Sequence, residues 1–218
     1  MQYQTAGEDV YRIETSQSLS RVRYAGTQLL RIAHEGDGLR FDAQASYVRE
    51  APDGKSSARA HFVQTLSRDG GFEDVLDEDP EFLTILNQPF AVRLDDSTLR
   101  DVRSLHAAVP FQATSPLGGA TLLRGYLRPG GSGVVGGRRT TAVRFDATGT
   151  MTGTLPGHAE ATIAGTLRME GVAYYSVDAG LLLGLNVTMT IDARLRQRRP
   201  SVAVPVRIVY RRSMRAGP

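Results

Sequence analysis

Four histidines, His34, His61, His106 and His158, are the side chains best suited to proton transfer or metal ligation near neutral pH. No two of them stand at i, i+4 for one helix face or at i, i+2 for one strand face. A metal site would therefore need ligands gathered from distant parts of the chain. The absence of cysteine excludes disulfides, thiolate nucleophiles and Cys-ligated zinc or iron–sulfur centres. The G-x-S-x-G elbow, the H-E-x-x-H pair and a phosphate loop ending in Lys-Ser or Lys-Thr are all missing. Gly130-Gly131-Ser132-Gly133, with Gly136-Gly137 beyond it, shares only composition with a nucleotide loop, because it neither follows a firm strand nor opens a helix. Asp77, Glu78, Asp79 and Glu81 offer oxygens to a hard cation. They lack the D-x-D-x-D-G spacing, however, and read equally well as a solvated turn and helix N-terminus. Two distant carboxylates could run glycoside hydrolysis if a cleft joined them, but the chain contains no Trp to stack a sugar ring. The residues thus lead to an expectation of no catalysis, no metal and no cofactor.

Charge is modest in total, +3, and uneven in place. Twelve Arg and five acids follow from Arg138 onward, a balance of +7, against −4 before it. A basic half can attract nucleic acid or anionic headgroups, yet alternating strands place Arg on a wet face for no further reason. The run Arg194, Arg196, Arg198, Arg199, Arg207, Arg211, Arg212 and Arg215 has only Tyr210 close by, whereas single-strand binders interleave aromatics to stack on bases. No nucleic-acid partner is expected.

Apolar material carries the remaining functional signal. Phe82-Leu83-Thr84-Ile85-Leu86, then Phe90, Val109-Pro110-Phe111 and Leu122-Leu123 are too apolar to lie freely in water. They form either core or the lid of a pocket between sheet and helix, where apolar ligands bind. Phe82, Ile85, Leu86, Phe90 and Phe111 are the candidate ligand contacts.

These residues must be positioned by strands. From Leu181 to Leu195 every second residue is apolar, with Leu182, Gly184, Asn186, Thr188, Thr190, Asp192 and Arg194 between, which predicts one long strand with a buried and a wet face. Val202 to Tyr210 repeats the pattern, and Pro205 within it predicts an edge strand or bulge. Thr162 to Val172 alternates likewise. Val143, Phe145 and Ala147 share a face before an expected tight turn at Ala147-Thr148-Gly149. Near the start, Leu39 to Tyr47 and Ala58 to Leu66 flank Pro52-Asp53-Gly54 as a hairpin. Val10 to Glu14, Val22 to Tyr24 and Leu29 to Ile32 read as shorter strands. Asp79-Pro80-Glu81, with an N-cap Asp and a first-turn Pro, predicts a short helix to Asn87. A second hairpin is expected from Phe90 to Leu105, and a mobile loop or linker near 129–137. The 218 residues fit one antiparallel β domain, a single curved sheet or open barrel with one short helix on its concave face. No run of eighteen apolar residues predicts a membrane-spanning helix.

Phe90-Ala-Val-Arg-Leu-Asp95 with its hairpin, Val143-Arg-Phe-Asp-Ala-Thr-Gly149 and Gly171-Val-Ala-Tyr-Tyr-Ser-Val-Asp-Ala-Gly-Leu181 together resemble the exported bacterial lipoprotein- and lipid-carrier domains. The resemblance spans roughly Leu39 to Leu195 and departs from that group in lacking a lipidation Cys, a signal peptide and more than one helix. It implies a half-barrel around an apolar cavity and a periplasmic or secreted location. The expected function is therefore non-enzymatic binding of an apolar small molecule or lipid. A structural, homo-oligomerising β module and an enzyme of unrecognised family are the alternatives.

Overall fold

A computed structural model describes residues 1–36, 38–66, 108–114, 122–155, 158–178, 181–197 and 202–217. They form ten antiparallel strands: β1 Gln2–Ile13, β2 Ser18–Glu35, β3 Gly38–Ala51, β4 Gly54–Leu66, β5 Val109–Thr114, β6 Leu122–Val135, β7 Arg138–Leu155, β8 His158–Ser176, β9 Leu182–Gln197 and β10 Val202–Ala216. No described residue is helical. All ten strands belong to one sheet in the order β4-β3-β2-β1-β10-β9-β8-β7-β6-β5. Two meanders are thus sewn together in the middle by the first and last strands, with Tyr3 opposite Ala216 and Ile13 opposite Val206. β4 and β5 stand at the two ends, and the sheet does not close among the described residues.

Period-two patterning sets the register, because a slip of one residue would turn every apolar side chain outward. On β9, Leu183, Leu185, Val187, Met189 and Ile191 are buried, and their neighbours on β8, Ile163, Leu167, Met169 and Ala173, face the same way. Val143, Phe145 and Ala147 of β7, Leu123 and Leu127 of β6, Ile208 and Met214 of β10, Tyr3 of β1, Leu30 of β2 and Phe41 of β3 complete one apolar cluster. The opposite face carries ion pairs. Glu8 meets Arg211 at 2.8 Å and Arg21 at 3.3 Å, Arg168 meets Glu170 at 2.9 Å, and Lys55 meets Glu50 at 2.7 Å. The Lys55 hydrogen bond, then its charge, draws the Glu50 carboxyl below its ordinary range.

Four sequence expectations are corrected by this geometry. The turn at Ala147-Thr148-Gly149 is absent, because β7 runs straight through it with Gly149 opposite Leu167. β8 is long enough to pair both halves of that segment, and Thr148, Thr150 and Thr152 simply continue the solvent face. The glycines near 129–137 are not a linker. Pro129 to Val135 belongs to β6, a bulge lies between Pro129 and Gly131, and Gly136-Gly137 forms a two-residue hairpin turn with φ of 55° and 76°. Positive φ at both centres matches the right-handed twist of the flanking strands and favours glycine. Pro205 lies on an interior strand, not at an edge. Its carbonyl accepts from Glu14 N at 3.2 Å, just past the end of β1. Its missing N–H points the same way and interrupts no β9 bond. Leu182, placed on the wet face by strict alternation, is buried, because the pairing shifts between Tyr174 and Tyr175. The three short N-terminal strands merge into the longer β1 and β2. The expected helix from Asp79 and the Phe90–Leu105 hairpin lie outside the described residues.

The sheet bends over itself at one end. β10 and β6 are four strand spacings apart, about 19 Å in a flat sheet. Even so, a Cβ on Gly136, in the β6–β7 turn, would stand 3.7 Å from the Ala216 carbonyl at the end of β10.

Candidate ligand-binding face

That bend creates a mouth at one end of the apolar face. Tyr3, Leu183, Ala216 and Gly217 on one side and Val135, Gly136 and Arg138 on the other frame a pocket of about 330 Å³, within the usual size range of small-molecule sites. Tyr3 is fully buried, and its hydroxyl donates to Leu182 O at 2.9 Å. It reaches β9 across β10, where the facing residue is the small Ala216. Burial pushes the Tyr3 phenol well above its ordinary value of 10. Tyr175 of β8 is equally buried, and its phenol is pushed up for the same reason. Its hydroxyl has no hydrogen-bond partner, and neither has Gln28 Nε2, on the residue opposite Tyr3. The mouth therefore joins an apolar interior to a rim that carries the Arg138 side chain.

Further along the same face a charged pair is buried. Arg212 of β10 donates to Asp9 Oδ1 of β1, and the two side chains are 0% and 1% exposed. Asp9 Oδ2 also accepts from the Tyr11 hydroxyl at 3.5 Å, and Arg212 Nη1 donates to Arg211 O at 2.9 Å. The guanidinium lies 5.1 Å from the Tyr24 ring centroid and 5.7 Å from that of Tyr210, so aromatic faces take the place of water. Tyr24 and Tyr47 pack edge to face with centroids 6.2 Å apart, and Tyr11 meets Tyr210 likewise at 6.2 Å. Burial, then the neighbouring Tyr11 and Asp9, pushes the Tyr210 phenol up. The pair is diagonal: Gly7 faces Arg212, and Asp9 faces Tyr210. Gly7 makes this crossing feasible, since a Cβ there would lie 2.9 Å from Arg212 Cδ. With its charges mutually offset and shut from solvent, the pair clamps β1 to β10 across 203 residues of sequence.

The sequence places Arg212 in a basic run with no assigned face. The missed signal was parity: Arg212 shares its face with Ile208, Tyr210 and Met214, where a lone charge demands a partner. The mouth residues Tyr3, Val135 and Leu183 were also missed, because a pocket formed by sheet curvature leaves no local motif. Phe82, Ile85, Leu86 and Phe90 lie outside the described residues. Phe111 is on β5, opposite Gly125 of β6. Of the histidines, His34 and His61 are solvent-exposed, and His61 Nε2 meets Asp42 at 3.1 Å. No cluster of three or more metal-binding side chains occurs among the described residues, and no described helix is long and apolar enough to cross a membrane. No family model matches the chain, and no curated protein was found to be similar to it.

Proposed function

We propose that the protein is a non-enzymatic binding protein that holds an apolar or amphipathic ligand against the inner face of its sheet. The carrying observation is the pocket of about 330 Å³ framed by Tyr3, Leu183 and Val135, which opens beside an apolar cluster drawing on eight strands. An apolar chain gains roughly 0.8 kcal/mol per methylene buried there, and Arg138 at the mouth suits a polar end. In this reading the sheet is a half-barrel like that of the exported lipid carriers. Phe82, Ile85, Leu86 and Phe90, between β4 and β5, and Phe111 of β5 are the proposed ligand contacts. The location that goes with it is the periplasm or the cell exterior.

Native mass spectrometry of the purified protein, set against its denatured mass, tests the reading. The expected result is an adduct of lipid size that is lost on denaturation. A bare monomer that also fails to bind a fluorescent fatty acid would refute it. A bare dimer that fails the same assay would instead assign the apolar surface to self-association.

A further inference from the structure

The end of the sheet opposite the mouth combines two features that its own stability does not require. The first is charge. Arg12 of β1 stands directly opposite Arg207 of β10 on the solvent face, and like charges so placed are unfavourable. Arg194 on β9 is opposite Pro205, and Arg196 is opposite Ala203, so both extend the same corner; Arg21 on β2 is opposite Val10, two residues from Arg12. Asp192 is matched by Arg207 at 3.6 Å, and Glu8 by Arg21 at 3.3 Å. Among the described side chains Glu14 is the one further acid at this corner, so the five arginines exceed the acids by two. The second feature is apolar. Leu19, directly opposite Arg12 and on the same face, is 60% exposed, whereas Ile13 alternates onto the other face.

An exposed leucine beside arginines on one face matches a surface that is anionic outside and apolar just beneath, the boundary of an anionic lipid bilayer. We propose that this corner, comprising Arg12, Leu19, Arg194, Arg196 and Arg207, docks on anionic membrane surfaces. The arginines engage headgroup phosphates, for which their forked donors are suited, and Leu19 enters the acyl boundary. The inference does not rest on the ligand reading, because it concerns the opposite end of the sheet.

Vesicle co-sedimentation of the full chain provides the test, with phosphatidylglycerol and phosphatidylcholine in equal parts against phosphatidylcholine alone, at low ionic strength. Binding is expected only to the anionic vesicles and should weaken with salt. Arg12→Gln and Arg194→Gln should each lower the partition coefficient about five-fold, from about 1 kcal/mol per basic residue at such a surface. Leu19→Ser should lower it by an amount that survives added salt. Arg144→Gln, on the solvent face of β7, should leave it unchanged. Circular dichroism checks that each variant is folded. Failure to bind anionic vesicles would overturn the proposal, as would equal losses from Arg144→Gln and Arg12→Gln. Tighter binding to a DNA oligonucleotide, lost in the same variants, would overturn it in favour of nucleic acid.

Discussion

Removing either partner of the Asp9–Arg212 pair should be among the most damaging single changes in this sheet, and removing both together should not. Asp9→Ala strands a guanidinium whose side chain is 0% exposed. Breaking a buried pair from one side costs about 3–5 kcal/mol, because an uncompensated charge remains. The rings of Tyr24 and Tyr210, 5.1 and 5.7 Å from the guanidinium, return up to about 2 kcal/mol of that. The expected loss is therefore about 3 kcal/mol. Arg212→Met leaves a buried carboxylate without its guanidinium and should cost a similar amount. The double variant Asp9→Leu/Arg212→Met removes both desolvation penalties and fills the space with carbon, so it should fall within about 1 kcal/mol of the parent. Urea unfolding followed by far-UV circular dichroism gives the three differences and hence the coupling energy. A coupling below about 0.5 kcal/mol, or single losses below about 1 kcal/mol, would show that the charges are not energetically buried.

Three further outcomes follow from the same packing. Tyr175→Phe should stabilise the protein by about 1 kcal/mol, since its buried hydroxyl is unpartnered. Tyr3→Phe should destabilise by a similar amount, since it loses the bond to Leu182 O; thermal melts of the two variants shifting in the same direction would contradict this. With the Tyr3, Tyr175 and Tyr210 phenols all raised above 10, the folded state holds three protons that the unfolded chain releases. Their contribution to stability is then constant below about pH 10 and falls above it, by roughly 4 kcal/mol per pH unit if all three contribute; urea midpoints unchanged into that range would refute the assignment. Gly136→Val, at φ 55°, should cost about 1–2 kcal/mol, whereas Gly136→Asn should cost far less; equal melting temperatures for the two would dismiss the turn argument.

Strands with one wet face were the most legible part of this fold. The alternation from Leu181 to Leu195 and from Leu39 to Tyr47 predicts β9 and β3 directly, because the burial period and the side-chain period coincide. Where breaks were expected, single residues misled. Gly149 and Pro205 carry turn and edge signals, but a long antiparallel partner on β8 or the local end of β1 accommodates each without interruption. The pairing of β1 with β10 has no local signature at all, since only tertiary contact relates Gly7 to Arg212. The candidate site shows the same divide. Apolar excess was visible in composition, but the mouth depends on how far the β6–β7 turn leans toward Ala216, a property of accumulated twist and not of any short motif.

The central seam also fixes how the molecule would respond to mechanical load. β1 and β10 run antiparallel with Gly217 N bonded to Gln2 O at 2.9 Å, so their outer ends lie side by side. Tension applied at those two points would peel the seam open one rung at a time, without shearing many hydrogen bonds at once. Peeling would first have to withdraw the buried Tyr3 from Leu182 O. It would then reach Gly7 opposite Arg212, where advancing one rung means exposing the guanidinium, its carboxylate and the surrounding rings together. Tethered through these strands, the protein would yield in two stages, with the Asp9–Arg212 clamp setting the force at which the second begins.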